Sequence, residues 1–154
     1  MKIISGCQTG VDRAAIDVAI EIGLDYGGSV PRGRKAEDGT IDKKYDKLTE
    51  LETDSYESRT EKNVTDADAT LIFTVGATSG GTAWTIKCAK KHEKLHLIVD
   101  LEKNTSDKVI ELIQEWLSKN QPGILNVAGP RESSAPGVYE RVFIILYNIY
   151  DPLI

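Results

Sequence analysis

Glycines, hydroxyls and guanidinium groups recur together at several places in this chain, and together they form the chemistry of anion binding. The first place is Ser5-Gly6-Cys7-Gln8-Thr9-Gly10-Val11-Asp12-Arg13. Gly6 and Gly10 lack a Cβ and so permit a tight turn and close approach by a ligand. Gln8 and Thr9 add side-chain hydrogen-bonding groups, and Arg13 adds a positive charge. The second is Pro31-Arg32-Gly33-Arg34-Lys35-Ala36-Glu37-Asp38-Gly39, where Arg32 and Arg34 are forked donors suited to an oxyanion. Its composition fits neither a helix nor a strand, and it equally describes a solvated surface loop. The third is Gly76-Ala77-Thr78-Ser79-Gly80-Gly81-Thr82, and the fourth is Gly129-Pro130-Arg131-Glu132. None of these follows GxGxxG or GxxxxGK[ST], so the nucleotide families built on those spacings are not supported.

The elements that must position these stretches read clearly. Lys2-Ile3-Ile4 leads into the first turn as a strand. Val11, Ala14, Ala15, Val18, Ala19 and Ile22 then recur at helical spacing, with Asp12, Asp17 and Glu21 off that stripe and Gly23 as the stop. Gly27 to Pro31 reads as a short second strand entering the basic loop. Asp54-Ser55-Tyr56-Glu57 resembles a capping box and starts a helix running to about Ala67. Tyr56, Arg59, Thr60 and Asn63 fall on one face of that helix. Ala69 to Val75 is nearly continuous in apolar residues, as a parallel strand buried on both faces must be. A helix follows from the third glycine turn to about Lys91, then a strand at His96–Asp100, a helix through Val109 to Leu117 and a strand at Ile124–Ala128. The last helix starts near Pro136. It is apolar nearly all round, which predicts burial partly by its own domain and partly by a second subunit.

This β-α alternation predicts an α/β fold, a Rossmann-like three-layer sandwich with a mainly parallel sheet and helices on both faces. The 154 residues are expected to form a single domain. In such sheets ligands bind beyond the carboxyl ends of the strands, where all four glycine stretches fall. A pocket for a phosphate-bearing small molecule is therefore expected. Backbone N–H groups at Gly6 to Gly10 and Gly80 to Thr82 would hold the phosphate. Arg13, Arg32, Arg34 and Arg131 would neutralise it, each charge-assisted contact contributing about 1.5–3 kcal/mol.

Composition bounds the partners. A net charge of −5 argues against a general nucleic-acid binder, and no apolar run approaches the ~20 residues that span a bilayer. Cys7 and Cys88 form neither a CxxC nor a Cys/His metal spacing, and they fit a reducing cytoplasm, as does a chain that runs straight into a strand without a leader. No bare metal site is expected; His92 and His96 read as surface or strand-edge residues. Cys7 stands just before a helix, where a thiol can be acidified, made reactive, and even ligate a metal through sulfur.

The stretches Gln8–Ala15, Pro31–Gly39, Arg59–Val64, Asp68–Ile72, Ser79–Thr82 and Asn126–Glu132 resemble, in order and over nearly the whole chain, the molybdenum cofactor carrier protein family. One departure is Cys7, where that family usually has glycine. The resemblance implies a Rossmann-like fold, a homodimer or homotetramer, and binding of the molybdenum cofactor (molybdopterin) without chemistry on it, with molybdoenzymes as recipients. It points to Gly6, Gln8, Thr9, Gly10, Arg13, Arg32, Gly33, Arg34, Glu37, Asp38, Arg59, Asn63, Ser79, Gly80, Gly81, Thr82, Gly129 and Arg131 as cofactor-binding residues. The family is similar in fold to the lysine-decarboxylase-like nucleoside-monophosphate phosphoribohydrolases. Their motif GGxGTxxE ends in a catalytic Glu; the residue three after Gly81-Thr82 here is Thr85.

Two other functions remain open from the residues alone. A nucleotide-processing enzyme, acting on a ligand such as AMP, needs an acid or base near the phosphate. Asp12, Glu37, Asp38, Asp100 and Glu132 are its candidates. Each also has a plain structural role: Asp12 as a complement to the helix dipole, Glu37 and Asp38 as partners of Arg32 and Arg34, and Asp100 as a loop cap. A nucleotide sensor reporting through the last helix is the other alternative.

Overall fold

The computed structural model describes residues 1–150. In chain order the elements are β1 (Lys2–Ile4), α1 (Val11–Ile22), β2 (Asp25–Gly27), β3 (Ser29–Val30), β4 (Lys35–Ala36), β5 (Gly39–Thr40), β6 (Thr49–Glu50), α2 (Tyr56–Asp66), β7 (Ala69–Thr74), α3 (Gly80–Lys91), β8 (Leu95–Asp100), α4 (Ser106–Asn120), β9 (Ile124–Ala128) and α5 (Val138–Tyr150). The central sheet has the order β2-β1-β9-β7-β8 and every pairing in it is parallel. It is the mainly parallel sheet of a three-layer, Rossmann-like α/β fold.

The chain lays β1 and β2 to one side, β7 and β8 to the other, and returns with β9 between them. Strand direction is preserved while the order reverses, so a crevice opens above the carboxyl ends of β1, β9 and β7. The strands there are short and apolar because both faces are covered: every residue of β7 is buried. On one face α1 packs on α5 and α5 on α4, burying Val11, Ala15, Val18, Ile113, Val142, Ile145 and Leu146 in the main core. Across the other face α2 packs on α3, with Val64, Cys88 and Ala89 forming a smaller cluster and the Trp84 indole N–H donating to the Glu57 carbonyl.

Three local expectations differ from what forms. The stretch Gly27 to Pro31 is split: β2 ends at Gly27 in the central sheet, Gly28 turns the chain at φ 128°, and β3 pairs with β6 in a separate two-stranded sheet. The basic loop is not irregular. Arg32–Arg34 make a 3₁₀ turn interrupted by left-handed Gly33, and β4 and β5 follow as a minimal antiparallel hairpin. The last helix begins at Val138, because the Glu132 carboxylate accepts the amides of Gly137 and Tyr139 and caps it there. On α5, Ile144 is 51% exposed.

Candidate functional site

A cleft of about 460 Å³ lies above β1, β9 and β7. That is the size of a small-molecule site. Its walls come from the turn after β1 and the start of α1 (Gly6, Gln8, Asp12), from α2 (Arg59, Thr60, Asn63), from the end of β7 and the start of α3 (Thr74, Val75 and Ala77 to Thr82, with Thr85), and from β9 and its loop (Asn126 to Arg131, Ser133 to Ala135).

The turn before α3 is the open end. Ser79 occupies the N-cap position but its side chain makes no capping bond, and among the described residues nothing accepts the amides of Gly80, Gly81 or Thr82. The first turn of α3 holds no acidic residue. Unpaired N–H groups at the positive end of a helix dipole form an anion-binding site. Thr85, at the position where the related hydrolases have a Glu, is buried and donates its hydroxyl back to the Gly81 carbonyl.

Two guanidinium groups reach the cleft. Arg59 is only 6% exposed; its Nη1 donates to the Gly6 carbonyl at 2.8 Å and stands 3.8 Å from the Asp12 carboxylate. Gly6 is glycine because a Cβ there would overlap the Arg59 guanidinium. Arg131 sits 3.7 Å from Glu37. Both arginines lie over the Tyr56 ring, 5.4 and 5.6 Å from its centroid, and Lys35 Nζ lies over the same ring at 4.6 Å. The Arg59 Nε has no acceptor.

The turn before α1 is closed. Val11 N–H donates to the Pro130 carbonyl, Arg13 N–H to the Gln8 carbonyl, Thr9 N–H to Gln8 Oε1 and Cys7 N–H to Ser5 Oγ. Gly10, at φ 81°, lies against the Pro130 carbonyl with no room for a Cβ. Of the amides between Gly6 and Gly10 assigned to phosphate, those of Cys7 and Thr9 are spent inside the protein. Asp12 places a carboxylate in the first helical turn, where an anion would otherwise sit. It is 9% exposed and lines the cleft, although the helical stripe puts it on the wet face. Burial pushes its carboxyl up to about 6, against the pull of Arg59, the Gln8 backbone N–H, Arg13 and Arg131.

The remaining residues singled out from sequence divide by what they touch. Gly6, Gln8, Arg59, Asn63, Ser79, Gly80, Gly81, Thr82, Gly129 and Arg131 are brought together in the cleft walls. Asn63 lies there but spends both ends of its amide on the backbone of Ser29. Thr9, Gly10, Arg13, Arg32, Gly33, Arg34, Glu37 and Asp38 are outside the lining. Arg34 turns back to the carbonyls of Ile41, Asp42 and Tyr45 and pins its own loop. Arg32 is exposed, and the pairing of Glu37 and Asp38 with Arg32 and Arg34 does not form. Asp38 instead takes the fork of Arg13, which holds its carboxyl below the usual range. Glu37 clasps Thr9, the Ser133 amide and hydroxyl, and Arg131, and so ties the first turn to the β9 loop. Cys7 is neither acidified nor in the cleft: it is fully buried, and burial pushes its thiol up to about 12. Its φ of 53° is left-handed, a physical reason for glycine there in the resembling family.

Of the five candidate acids and bases, only Asp12 lines the cleft. Asp100 caps the amides of Gly76 and Glu102, and Glu132 caps α5. Sequence reasoning missed Asn126 and Thr74. A polar residue inside an otherwise apolar buried strand was the available signal for each. Among the described residues no group of three or more His, Cys, Asp or Glu side chains is placed to hold a metal ion, and no helix is long and apolar enough to cross a membrane.

Comparison with known proteins gives the family. The family model described as "Circularly permutated YpsA SLOG family" matches residues 3–150. A solved structure described as a "Putative molybdenum carrier protein" from Syntrophus aciditrophicus superposes with a TM-score of 0.94 at 42% identity, covering 97% of this chain and 94% of that one. No curated protein matches the chain.

Proposed function

Since the chain belongs to the circularly permutated YpsA SLOG family, we propose that it binds and carries a phosphate-bearing small molecule, with the molybdenum cofactor as cargo, and performs no chemistry on it. The observation that carries this reading is the uncapped N-terminus of α3 sharing a cleft of about 460 Å³ with Arg59 and Arg131. A phosphate there accepts from the amides of Gly80 to Thr82 and is neutralised by two guanidinium groups already gathered at Tyr56. The solved relative described as a molybdenum carrier and the Thr at position 85 both favour a carrier. The carrier is one domain over residues 1–154 and works in the cytoplasm. It self-associates through its apolar last helix, where Ile144 is exposed, and it hands its cargo to molybdoenzymes.

Native mass spectrometry of freshly purified protein tests this. An adduct with the mass of a molybdopterin species is expected; a nucleotide adduct removes the cofactor from the reading.

A second reading has one observation in its favour. Asp12 is a carboxyl in the cleft with its ionisation pushed up to about 6, as a general acid or base requires. Incubation with AMP that releases adenine or ribose 5-phosphate, abolished by Asp12→Asn, would make the protein an enzyme.

A further inference from the structure

Asp12 and the phosphate of the proposed cargo draw on the same cation. Asp12 lines the cleft from the first turn of α1, is buried, and has its carboxylate 3.8 Å from Arg59 Nη1, beyond hydrogen-bond distance. Arg59 lines the cleft from α2, gives Nη1 to the Gly6 carbonyl and keeps an Nε with no acceptor. The other groups that face Asp12 are engaged elsewhere. Arg13, on the same helix, gives its fork to Asp38 and the Cys7 carbonyl. Arg131, from the loop after β9, stands 3.7 Å from Glu37. Cys7, in the turn before α1, is a neutral thiol. The carboxylate is thus nearly dry and is held by one guanidinium at a distance. Burial already pushes its carboxyl up to about 6, close enough to neutrality for one added charge to decide its state.

We propose that the cleft takes up a proton together with its anion, and that the proton goes from solvent to the Asp12 carboxylate. This rests on the phosphate reading above and adds how the site is regulated. A phosphate that accepts from Arg59 takes a share of the cation that favours ionised Asp12, and it adds a like charge to the same cleft. Both effects disfavour the carboxylate and favour the neutral acid. Linkage makes the exchange reciprocal: if the anion tightens the proton on Asp12, the proton tightens the anion by the same factor. The protein therefore holds its anion most firmly in mild acid and loosens it as pH rises through the titration of Asp12. Among the described residues the two histidines are outside the cleft lining, with His92 on Glu61 and His96 on the Lys94 carbonyl.

Calorimetry of ribose 5-phosphate binding to the intact protein at pH 7, in buffers of different ionisation enthalpy, counts the protons exchanged. A phosphate monoester, with its second ionisation near 6, releases a little proton when cations bind it as the dianion, so net uptake comes from the protein. The parent is expected to take protons up, exceeding Asp12→Asn by about 0.4 proton or more per ligand, as a rise of one pKa unit requires. The ratio of parent to Asp12→Asn affinity is expected to fall at least about fivefold between pH 5.5 and 7.5, since the ligand's own titration cancels in that ratio. The sign of the exchange in the parent decides the matter even if the variant does not fold. Binding without net uptake by the parent, or with equal uptake by the variant, overturns the proton linkage and leaves the phosphate reading standing. Absence of ribose 5-phosphate binding overturns the phosphate reading and this inference with it.

Discussion

The two glycine turns that open α1 and α3 read alike in sequence, and in the structure they are opposites. Before α1, the amides are bonded to Pro130 and Gln8, and Asp12 supplies a carboxylate in the first turn. Before α3, no side chain caps the helix and no acid occupies its first turn. A strand-glycine-helix pattern shows that a helix N-terminus lies at the sheet rim. Whether that terminus receives a ligand depends on what already fills its N–H groups. Here the cleft has one helix N-terminus left uncapped and one that carries its own carboxylate, and on the carrier reading a bound molecule must match both.

The largest disturbance of this contrast comes from Arg59, which belongs to both ends. Arg59→Met removes the tie to Gly6 and leaves Asp12 without its nearest cation, at an expected cost of about 3 kcal/mol in urea denaturation. Affinity for ribose 5-phosphate is expected to fall on the order of 100-fold through loss of a buried charge-assisted donor. An affinity unchanged in a folded variant would take Arg59 out of the anion site.

Asp12→Asn relieves the closed end. An acid whose folded ionisation lies near 6, above the ordinary 3.8, holds its proton more tightly in the folded protein than in the unfolded chain. Its contribution is therefore most favourable below about pH 4 and is lost as pH rises through 6. Asn does not titrate. The variant is expected to be more stable than the parent at pH 8, by on the order of 2–3 kcal/mol, with the difference closing as pH falls towards 4. Parallel denaturation curves across that range check it; a variant less stable at pH 8 would mean the carboxylate is well compensated.

Closing the open end is the converse test. Gly81 has clear space around a built Cβ, so Gly81→Asp is tolerated and puts a carboxylate in the first turn of α3, as Asp12 does for α1. Ribose 5-phosphate affinity is expected to fall at least ~10-fold while the melting temperature holds, since an acid at that position suits the dipole. The smallest effect is expected from Arg32→Ala. That side chain is exposed and outside the cleft, so affinity by calorimetry stays within about twofold. A tenfold loss would return the basic loop to the site.

This contrast marks where the sequence was legible. β7 and α3 could be read because a doubly covered parallel strand is a run of apolar residues and its turn follows directly. The crevice followed from the β-α order alone. What could not be read was which cations face inward. Arg32 and Arg34 stand among glycines in a conspicuous loop, yet Arg34 is spent on carbonyls of that loop. Arg59 could be read as a site residue beside them, but its burial depends on Gly6, more than fifty residues away in the chain, so nothing local set it apart from Arg32 and Arg34. Glu37 and Asp38 found partners in other turns for the same reason: the nearest charge in sequence is not the nearest in space. Asp12 was legible as a dipole partner, but its place in the cleft wall came only from the packing of β9 beside β1.

The most direct test of the central claim follows backbone amide resonances while ribose 5-phosphate is added. The amides of Gly80, Gly81 and Thr82 are expected to shift saturably, and those of Thr9, Gly10 and Val11 to remain where they are. Shifts at Thr9 to Val11 with Gly80 to Thr82 unmoved would place the phosphate at the other helix and contradict the account.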